Sequence, residues 1–259
     1  MTKRLFENQV ILGDCLEKMK DIADDSIDLI LTNLPYGMTA RNKWDSIIPY
    51  EQLWKEWNRI KRETTPVILT AIQPFTSKII MSNLTKFKYE WIWNKKLPTG
   101  FLNAKKQPLR QHESILVFYD KQSLYIPQFT EGEKYKKTRK TANSLNYNSV
   151  KYTDGVNESG KRYPKTILDI SNACHHGRLH PTEKPVKLFE YLIKTYTNEG
   201  DTVLDCCAGS GTTAIACLNL NRNYICIEKE PKYYEIMKER INTLKNVILK
   251  TITEPEKEK

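Results

Sequence analysis

Four consecutive residues, Asn33-Leu34-Pro35-Tyr36, combine a carboxamide oxygen, a main-chain carbonyl turned outward by a proline, and a flat aromatic ring. Those parts suit an exocyclic amine on a planar base: the amide and the carbonyl accept its hydrogens, and the ring stacks on its face. An ordinary strand-to-loop turn uses the same residue types, so the tetrapeptide alone leaves both readings open. A second group lies far along the chain. Residues 202–213, TVLDCCAGSGTT, read as a buried strand ending at Asp205, a turn eased by Gly209 and Gly211, and the start of a helix. A helix N-terminus behind a glycine turn suits a nucleotide-type ligand. The next strand, YICIE, ends in Glu228, whose carboxylate can accept both hydroxyls of a ribose.

Residues 209–214 also fit the GxGxxA form of a dinucleotide fingerprint. Their position argues against that assignment, because a dinucleotide domain opens with its glycine loop, and here one strand and one good helix remain. The sheet must then be completed by N-terminal strands. A ligand at the carboxyl ends of the strands would meet Gly13-Asp14 after the first strand and Asn33 after the second. Asp14 is either an acceptor for a nucleobase amino group or the N-cap of the helix CLEKMK.

The elements that must position these residues alternate. β-rich runs occupy 9–12, 28–32, 67–72, 88–93, 114–119, 202–205 and 224–228. Between several of them lie helices with one apolar face each: Leu53, Trp57 and Ile60; Leu188, Tyr191, Leu192 and Thr195; Tyr234, Met237, Ile241 and Leu244. Alternation of this kind predicts an α/β fold with a seven-stranded, doubly wound, mostly parallel sheet. Trp91 and Trp93, on one strand face, are expected in the core. Trp44-Asp45, after the first turn, either caps the site or packs.

The stretch from about 121 to 172 lacks a sustained period of either kind. From Glu133 to Lys165 it carries nine Lys or Arg against three acids, interleaved with Tyr135, Tyr147, Tyr152 and Tyr163. Charge with stacking rings suits a nucleic-acid surface; a solvated insertion would look similar. The whole chain, 259 residues with a net charge of +10, has the same leaning toward anionic partners. Its apolar runs are too short to span a bilayer. The start, MTKRLFENQV, has no apolar core of a secretory signal, which predicts a cytoplasmic protein.

Six cysteines, at 15, 174, 206, 207, 217 and 226, do not form a disulfide framework. Cys206 and Cys207 read as small apolar filler behind the glycine turn. Cys174, His175, His176 and His180 invite a zinc reading, but no CxxC pair accompanies them, and no metal site is expected.

The order of motifs resembles that of the DNA amino-methyltransferases that use S-adenosylmethionine, in the permuted arrangement where the catalytic turn precedes the glycine-rich motif. GDCLEKM (13–19) resembles the family's motif at the cofactor adenine, and NLPY (33–36) its Asp/Asn/Ser-Pro-Pro-Tyr/Phe/Trp turn. HPTEKPVKLFEYLI (180–193) resembles the segment over the methionine end, and DCCAGSGTT (205–213) resembles Asp-Pro-Phe-Ala-Gly-Ser-Gly-Thr-Thr. The resemblance spans nearly the full chain. It departs at Leu34, where the family has its first proline, at Asn33, where this group more often has Asp, and at Cys206-Cys207, which replace Pro-Phe.

The resemblance implies a methyltransferase acting on double-stranded DNA, with adenine N6 as target and cytosine N4 or a decayed DNA-binding module as alternatives. It implies catalytic roles for Asn33, Leu34, Pro35 and Tyr36. Contacts with S-adenosylmethionine fall to Asp14, Thr182, Lys184, Asp205, Cys207, Ala208, Gly209, Ser210, Gly211, Thr212 and Glu228. Lys136, Lys137, Arg139 and Lys140 are expected to meet DNA. Residues 1–120 would carry the catalytic turn, 121–172 target recognition, 173–250 the cofactor-binding half of the same sheet, and 251–259 a frayed tail. A homodimer and a cognate restriction endonuclease are the further partners such a family admits, and no membrane is expected.

Overall fold

A computed structural model of the chain describes residues 8–38, 45–137, 155–172, 177 and 179–253. Its strands are β1 (Gln9–Leu12), β2 (Leu29–Thr32), β3 (Val67–Ala71), β4 (Phe87–Thr99), β5 (Arg110–Phe118), β6 (Thr130–Glu131), β7 (Tyr135–Lys137), β8 (Gly155–Asn157), β9 (Lys161–Arg162), β10 (Ile167–Asp169), β11 (Thr202–Asp205) and β12 (Asn223–Glu228). The helices are α1 (Cys15–Lys18), α2 (Tyr50–Ile60), α3 (Phe75–Ser82), α4 (Val186–Tyr196), α5 (Thr212–Asn219) and α6 (Pro231–Thr253). Two units are distinguished: Met1–Ile126 with Thr166–Lys259, and Pro127–Lys165.

The first unit is built on one sheet in the order β1-β12-β11-β2-β3-β5-β4-β10. The five strands from β1 to β3 are mutually parallel. β5 runs antiparallel to both β3 and β4, and β10 is parallel to β4. The sheet therefore has eight strands rather than the expected seven. The additional strand, β10, lies in the stretch that shows no periodicity, because in three residues only Leu168 is buried and no alternation can register. β4 also outruns its expected end at Trp93: ladder pairing continues to Asn94 and, after an irregularity, to Thr99 opposite Arg110, although charged Lys95 and Lys96 end the apolar run.

Successive strand residues face opposite sides of the sheet. Leu29, Leu31 and Val203 join a core with α4, α5 and α6, while Ile30, Val67, Leu69 and Leu204 join a second core with α1, α2 and α3. The helices follow their apolar spacing. Leu53, Trp54, Trp57 and Ile60 are the buried stripe of α2, and Leu188, Leu192 and Thr195 belong to that of α4. Trp91 and Trp93 are buried, as expected, each with its indole N–H satisfied, by the Tyr196 hydroxyl and the Ile170 carbonyl respectively, both at 2.8 Å.

β11 and β2 are neighbours from which the chain proceeds in opposite directions, to β12 on one side and to β3 on the other. That reversal parts the loops at the carboxyl ends of the two strands and opens a crevice between them. No helix among the described residues is long and apolar enough to cross a membrane.

The second unit contains two short antiparallel pairs, β6 with β9 and β7 with β8. Strands of two or three residues leave no periodic trace in sequence, which is why this stretch reads as featureless. The Arg162 guanidinium lies 4.7 Å from the Tyr135 ring centroid, and Phe129 and Tyr163 pack with centroids 4.9 Å apart. Tyr163, Phe129, Tyr135 and Lys136 remain exposed.

Candidate active site

The crevice holds a cleft of about 510 Å³, within the size range of small-ligand sites, lined by residues from both chain halves of the first unit. Among its walls are Asp14, all four residues of the Asn33–Tyr36 turn, Thr182, Lys184, Asp205, Cys207, Ala208, Gly209, Ser210, Thr212 and Glu228. Residues that the sequence places more than two hundred positions apart, such as Asp14 and Glu228, thus face one space.

The turn leaves the end of β2. Thr32, the last strand residue, donates from Oγ1 to Asp205 Oδ1 at 2.7 Å and so ties the carboxyl ends of β2 and β11 together. Asp205 also accepts from the Thr213 hydroxyl and, at 3.1 Å, from the Cys207 N–H. Burial pushes its carboxyl up to about 6, against these hydrogen bonds, which favour the ionised form. Asp205 therefore secures the floor between the two turns, with both oxygens engaged by protein groups.

Asn33 Oδ1 accepts two hydroxyl hydrogen bonds, from Tyr36 at 2.8 Å and from Thr70 of β3 at 2.6 Å. The Tyr36 hydroxyl also lies 3.2 Å from Thr70 Oγ1, closing a three-membered network. Leu34 is buried at 3% exposure in the α2 and α3 core, so an apolar anchor holds the turn where a second proline would stiffen it. The Asp45 carboxylate accepts from the Gly37 and Met38 N–H groups at 2.9 and 2.8 Å, capping the chain just beyond Tyr36. Trp44 lies outside the described residues.

Behind Tyr36 sits a buried ion cluster. Lys184 Nζ is 2.8 Å from Glu113 Oε2, and Lys95 Nζ is 3.3 Å from Glu113 Oε1. Burial opposes the Lys184 charge, yet Tyr36 and Glu113 hold its pKa above the usual lysine value. Burial likewise opposes the Glu113 charge, and the two lysines hold that carboxyl below its usual range. The Lys184 ammonium lies 5.7 Å from the Tyr36 ring centroid and 5.9 Å from that of Trp93, so it supports the aromatic ring from one side. Lys184 thus neutralises the Glu113 carboxylate.

At the other end of the cleft, Glu228 accepts from the Gly209 N–H at 2.7 Å and from the Glu230 N–H at 2.8 Å. Burial raises its carboxyl above the ordinary glutamate value. Asp14 caps α1, accepting from the Leu16 N–H at 3.0 Å, and its second oxygen is 3.4 Å from Lys229 Nζ. His180 Nδ1 accepts from the Thr182 N–H at 3.2 Å, which places the ring proton on Nε2. Burial holds its pKa down to about 4, so the ring is neutral near pH 7.

Gly209 and Gly211 both have left-handed backbone, at φ +53° and +82°. A Cβ on Gly209 would meet the His180 ring at 3.5 Å, an ordinary contact, whereas one on Gly211 would come within 2.6 Å of Met237 Cγ. Gly211 is thus required for the approach of α6 to the start of α5, and it does not line the cleft. Lys136 lies in the second unit, exposed; Lys137 is the last residue of β7; Arg139 and Lys140 lie outside the described residues, as do Cys174, His175 and His176.

Sequence reasoning passed over Thr70, Glu113, Lys95 and Cys15. Cys15 meets Cys206 and Cys207, and the three Sγ atoms all lie within 4.8 Å of one another. Hydrogen bonds from Cys206 and Cys207 draw the Cys15 thiol well below its ordinary pKa, while the thiols of those two are pushed up.

The chain has relatives throughout its length. A family model described as DNA methylase, N6_N4_Mtase, matches residues 27–239. Type II methyltransferase M2.LlaDCHI of Lactococcus lactis subsp. cremoris is 43% identical over 272 residues, covering 93% of this chain and 93% of that protein. Type II methyltransferase M.HinfI of Haemophilus influenzae is 28% identical over 279 residues, covering 93% of this chain and 70% of that protein. Two solved structures share the fold. A complex of M1.HpyAVI with SAM superposes with a TM-score of 0.64 at 24% identity, over 90% of this chain and 98% of that one. The cytosine-N4-specific PvuII DNA methyltransferase does so with a TM-score of 0.63 at 18% identity, over 94% of this chain and 93% of that one. The matched segment runs from before Asn33 to beyond Glu228 and takes in both walls of the cleft, and the chain belongs to the N6/N4 DNA methylase family.

Proposed function

We propose that this chain transfers a methyl group from S-adenosylmethionine to the N6 amine of an adenine flipped out of double-stranded DNA. The observation that carries this reading is the placement of the Asn33–Tyr36 turn beside Asp205 at the reversal between β2 and β11, facing the same cleft as Glu228. The cofactor supplies an electrophilic methyl on a sulfonium, whose sulfur keeps the bonding pair when the methyl leaves. In this reading Glu228, fixed by two main-chain N–H groups, takes the ribose hydroxyls, and the turns at Gly13-Asp14 and Cys207–Gly209 hold the nucleoside.

The protein's task at the amine is orientation. Tyr36 stacks on the base, and Asn33 with the Leu34 carbonyl accepts the two amino hydrogens, so that the nitrogen lone pair points at the methyl carbon. With Oδ1 held by Tyr36 and Thr70, Asn33 faces the amine only after its amide turns over. The turn costs little, because hydroxyls accept as readily as they donate and Nδ2–H then donates to them. Asn33 is not a base; the proton leaves the methylated nitrogen for water.

The second unit, with exposed Lys136 and the Arg162–Tyr135 and Phe129–Tyr163 pairs, supplies DNA contacts in this reading. A cytosine N4 target is the second reading, favoured by the shared fold with the cytosine-N4-specific PvuII enzyme. Nucleoside mass spectrometry of unmethylated DNA incubated with protein and labelled cofactor separates them. Label in N6-methyladenine is expected; label in N4-methylcytosine alone overturns the adenine assignment, and label in neither, from protein that binds cofactor, indicates a decayed turn. A soluble cytoplasmic enzyme, a second copy of the chain as partner and a cognate endonuclease all accord with this proposal.

A further inference from the structure

Cys15 belongs to the first turn of α1, directly after Asp14, whereas Cys206 and Cys207 follow β11. The fold brings their thiols together, with all three Sγ atoms within 4.8 Å of one another. Cys15 and Cys206 are buried at 7% and 2% exposure, Cys207 is half-buried, and all three line the cleft. A lone buried cysteine is an ordinary small hydrophobe. Cys217 and Cys226 play that part in the same molecule, each fully enclosed in the core beneath α5 and β12. The other three differ in two respects: they face one another, and they open onto a space that a solute can enter.

Three thiolates on a zinc-sized ion, with metal–sulfur bonds of about 2.3 Å, hold their sulfurs roughly 4 Å apart. The present spacing, no more than 4.8 Å, lies within about an ångström of that separation. Thiolates select soft ions over magnesium or calcium. We propose that Cys15, Cys206 and Cys207 bind one soft d10 cation of the zinc and cadmium kind, with its fourth position open to the cleft, and that the loaded site opposes cofactor binding. On binding, the thiols release their protons to solvent and no electrons change hands. The ion would staple the Gly13–Cys15 turn to the Cys206–Gly209 turn. Those two segments hold the nucleoside in the function proposed above, so the second half of the proposal rests on that reading.

Full-length protein, kept reduced with a phosphine, is titrated with cadmium chloride while ultraviolet thiolate-to-metal charge transfer is recorded. The band is expected to saturate at one ion per chain. Affinity should fall at least about tenfold in Cys15→Ser and in Cys207→Ser and stay unchanged in Cys174→Ser, with thermal midpoints establishing that each variant is folded. Cys207→Ser, at the half-buried position, is the variant least dependent on core packing. Absence of a saturable band, its persistence in Cys207→Ser, or its loss in Cys174→Ser overturns the site. S-adenosylhomocysteine is then titrated calorimetrically into metal-free and cadmium-loaded protein. At least about tenfold weaker binding to the loaded form is expected, and equal affinity overturns the antagonism. Failure to bind the metal-free protein overturns the cofactor placement, and the antagonism with it, while the cadmium titration still decides the metal site.

Discussion

Asn33 is held by two hydroxyls of different origin, one from its own turn and one from the middle of β3. In the proposed function Thr70 accepts from Nδ2–H of the turned amide and fixes its position without itself reaching the base. Thr70→Val should therefore lower kcat by about tenfold, equivalent to about 1.4 kcal/mol, with little change in the Kd for cofactor or DNA. Steady-state kinetics with independent binding measurements check this. Asn33→Ala should abolish nearly all transfer while both affinities stay within about 1 kcal/mol of wild type, the mark of an interaction made in the transition state. Comparable losses in Kd and kcat would instead make Asn33 a ground-state contact. At this scale, legibility followed chain distance. Asn33 and Tyr36 are three residues apart and declare themselves together, whereas Thr70 and Glu113 sit in strands whose apolar neighbours mask them. The signal for Glu113 was present, a carboxylate set just before the run Ser114–Tyr119, but nothing nearby in sequence names its partners Lys95 and Lys184.

The elements meet through a few close approaches. Gly211 lets α6 lie against the start of α5, and its substitution acts on packing before it acts on any ligand. Gly211→Ala should destabilise the fold by about 2 to 4 kcal/mol, the combined cost of a left-handed backbone for a β-carbon and an overpacked contact. Adding Met237→Ala should restore part of the packing share, as chemical denaturation can read. The glycine was legible as a special position, but its reason was not, since Met237 lies on a helix that sequence places apart from the turn. His180 tests the electrostatics of the same region. Its folded pKa of about 4 lies below the ordinary histidine value of 6.5, so its contribution to stability is fully present above 6.5 and is lost as pH falls toward 4. Asp205 acts oppositely: its pKa of about 6 lies above the usual 3.8, so its contribution is present below 3.8 and lost as pH rises through about 6. In His180→Gln the Asp205 effect persists and the histidine effect vanishes. The stability of the variant relative to wild type should therefore rise between pH 6.5 and 4 in thermal melts.

Across the whole molecule, charge is uneven. The Pro127–Lys165 unit carries exposed Lys136 and cation–aromatic pairs, and the chain as a whole carries a net charge of +10. Replacing Lys136 and Lys137 with Ala should flatten the slope of log DNA affinity against log salt by up to about 0.9 for each phosphate no longer neutralised, with cofactor affinity unchanged. Fluorescence anisotropy over a salt series measures it, and an unaltered slope would place the phosphate-binding surface elsewhere. The α/β class and the meeting of both chain halves were legible, because long strands and helices repeat their apolar spacing often enough to be recognised. β10 and the two short pairs of the second unit were not, because they hold too few residues to repeat anything.

The edge of the sheet sets an order of events in synthesis. Among the described residues β1 has one neighbour, β12, which sets Gln9 opposite Ile225, and beside that pairing the Asn8 side chain donates to Asn223 Oδ1, 215 positions along the chain. The Gly13-Asp14 turn therefore emerges from the ribosome long before the strand that will hold it, and Gly13 gains its hydrogen bond to the Glu228 carbonyl only when β12 has been made. Contacts of such long range form late and slowly, because the loop they close must be ordered first. A nascent chain released before residue 223 would carry the complete Asn33–Tyr36 turn and still lack Glu228, Lys229, Glu230 and Tyr233 of the cleft wall, so no partly made product could present that turn beside a finished pocket.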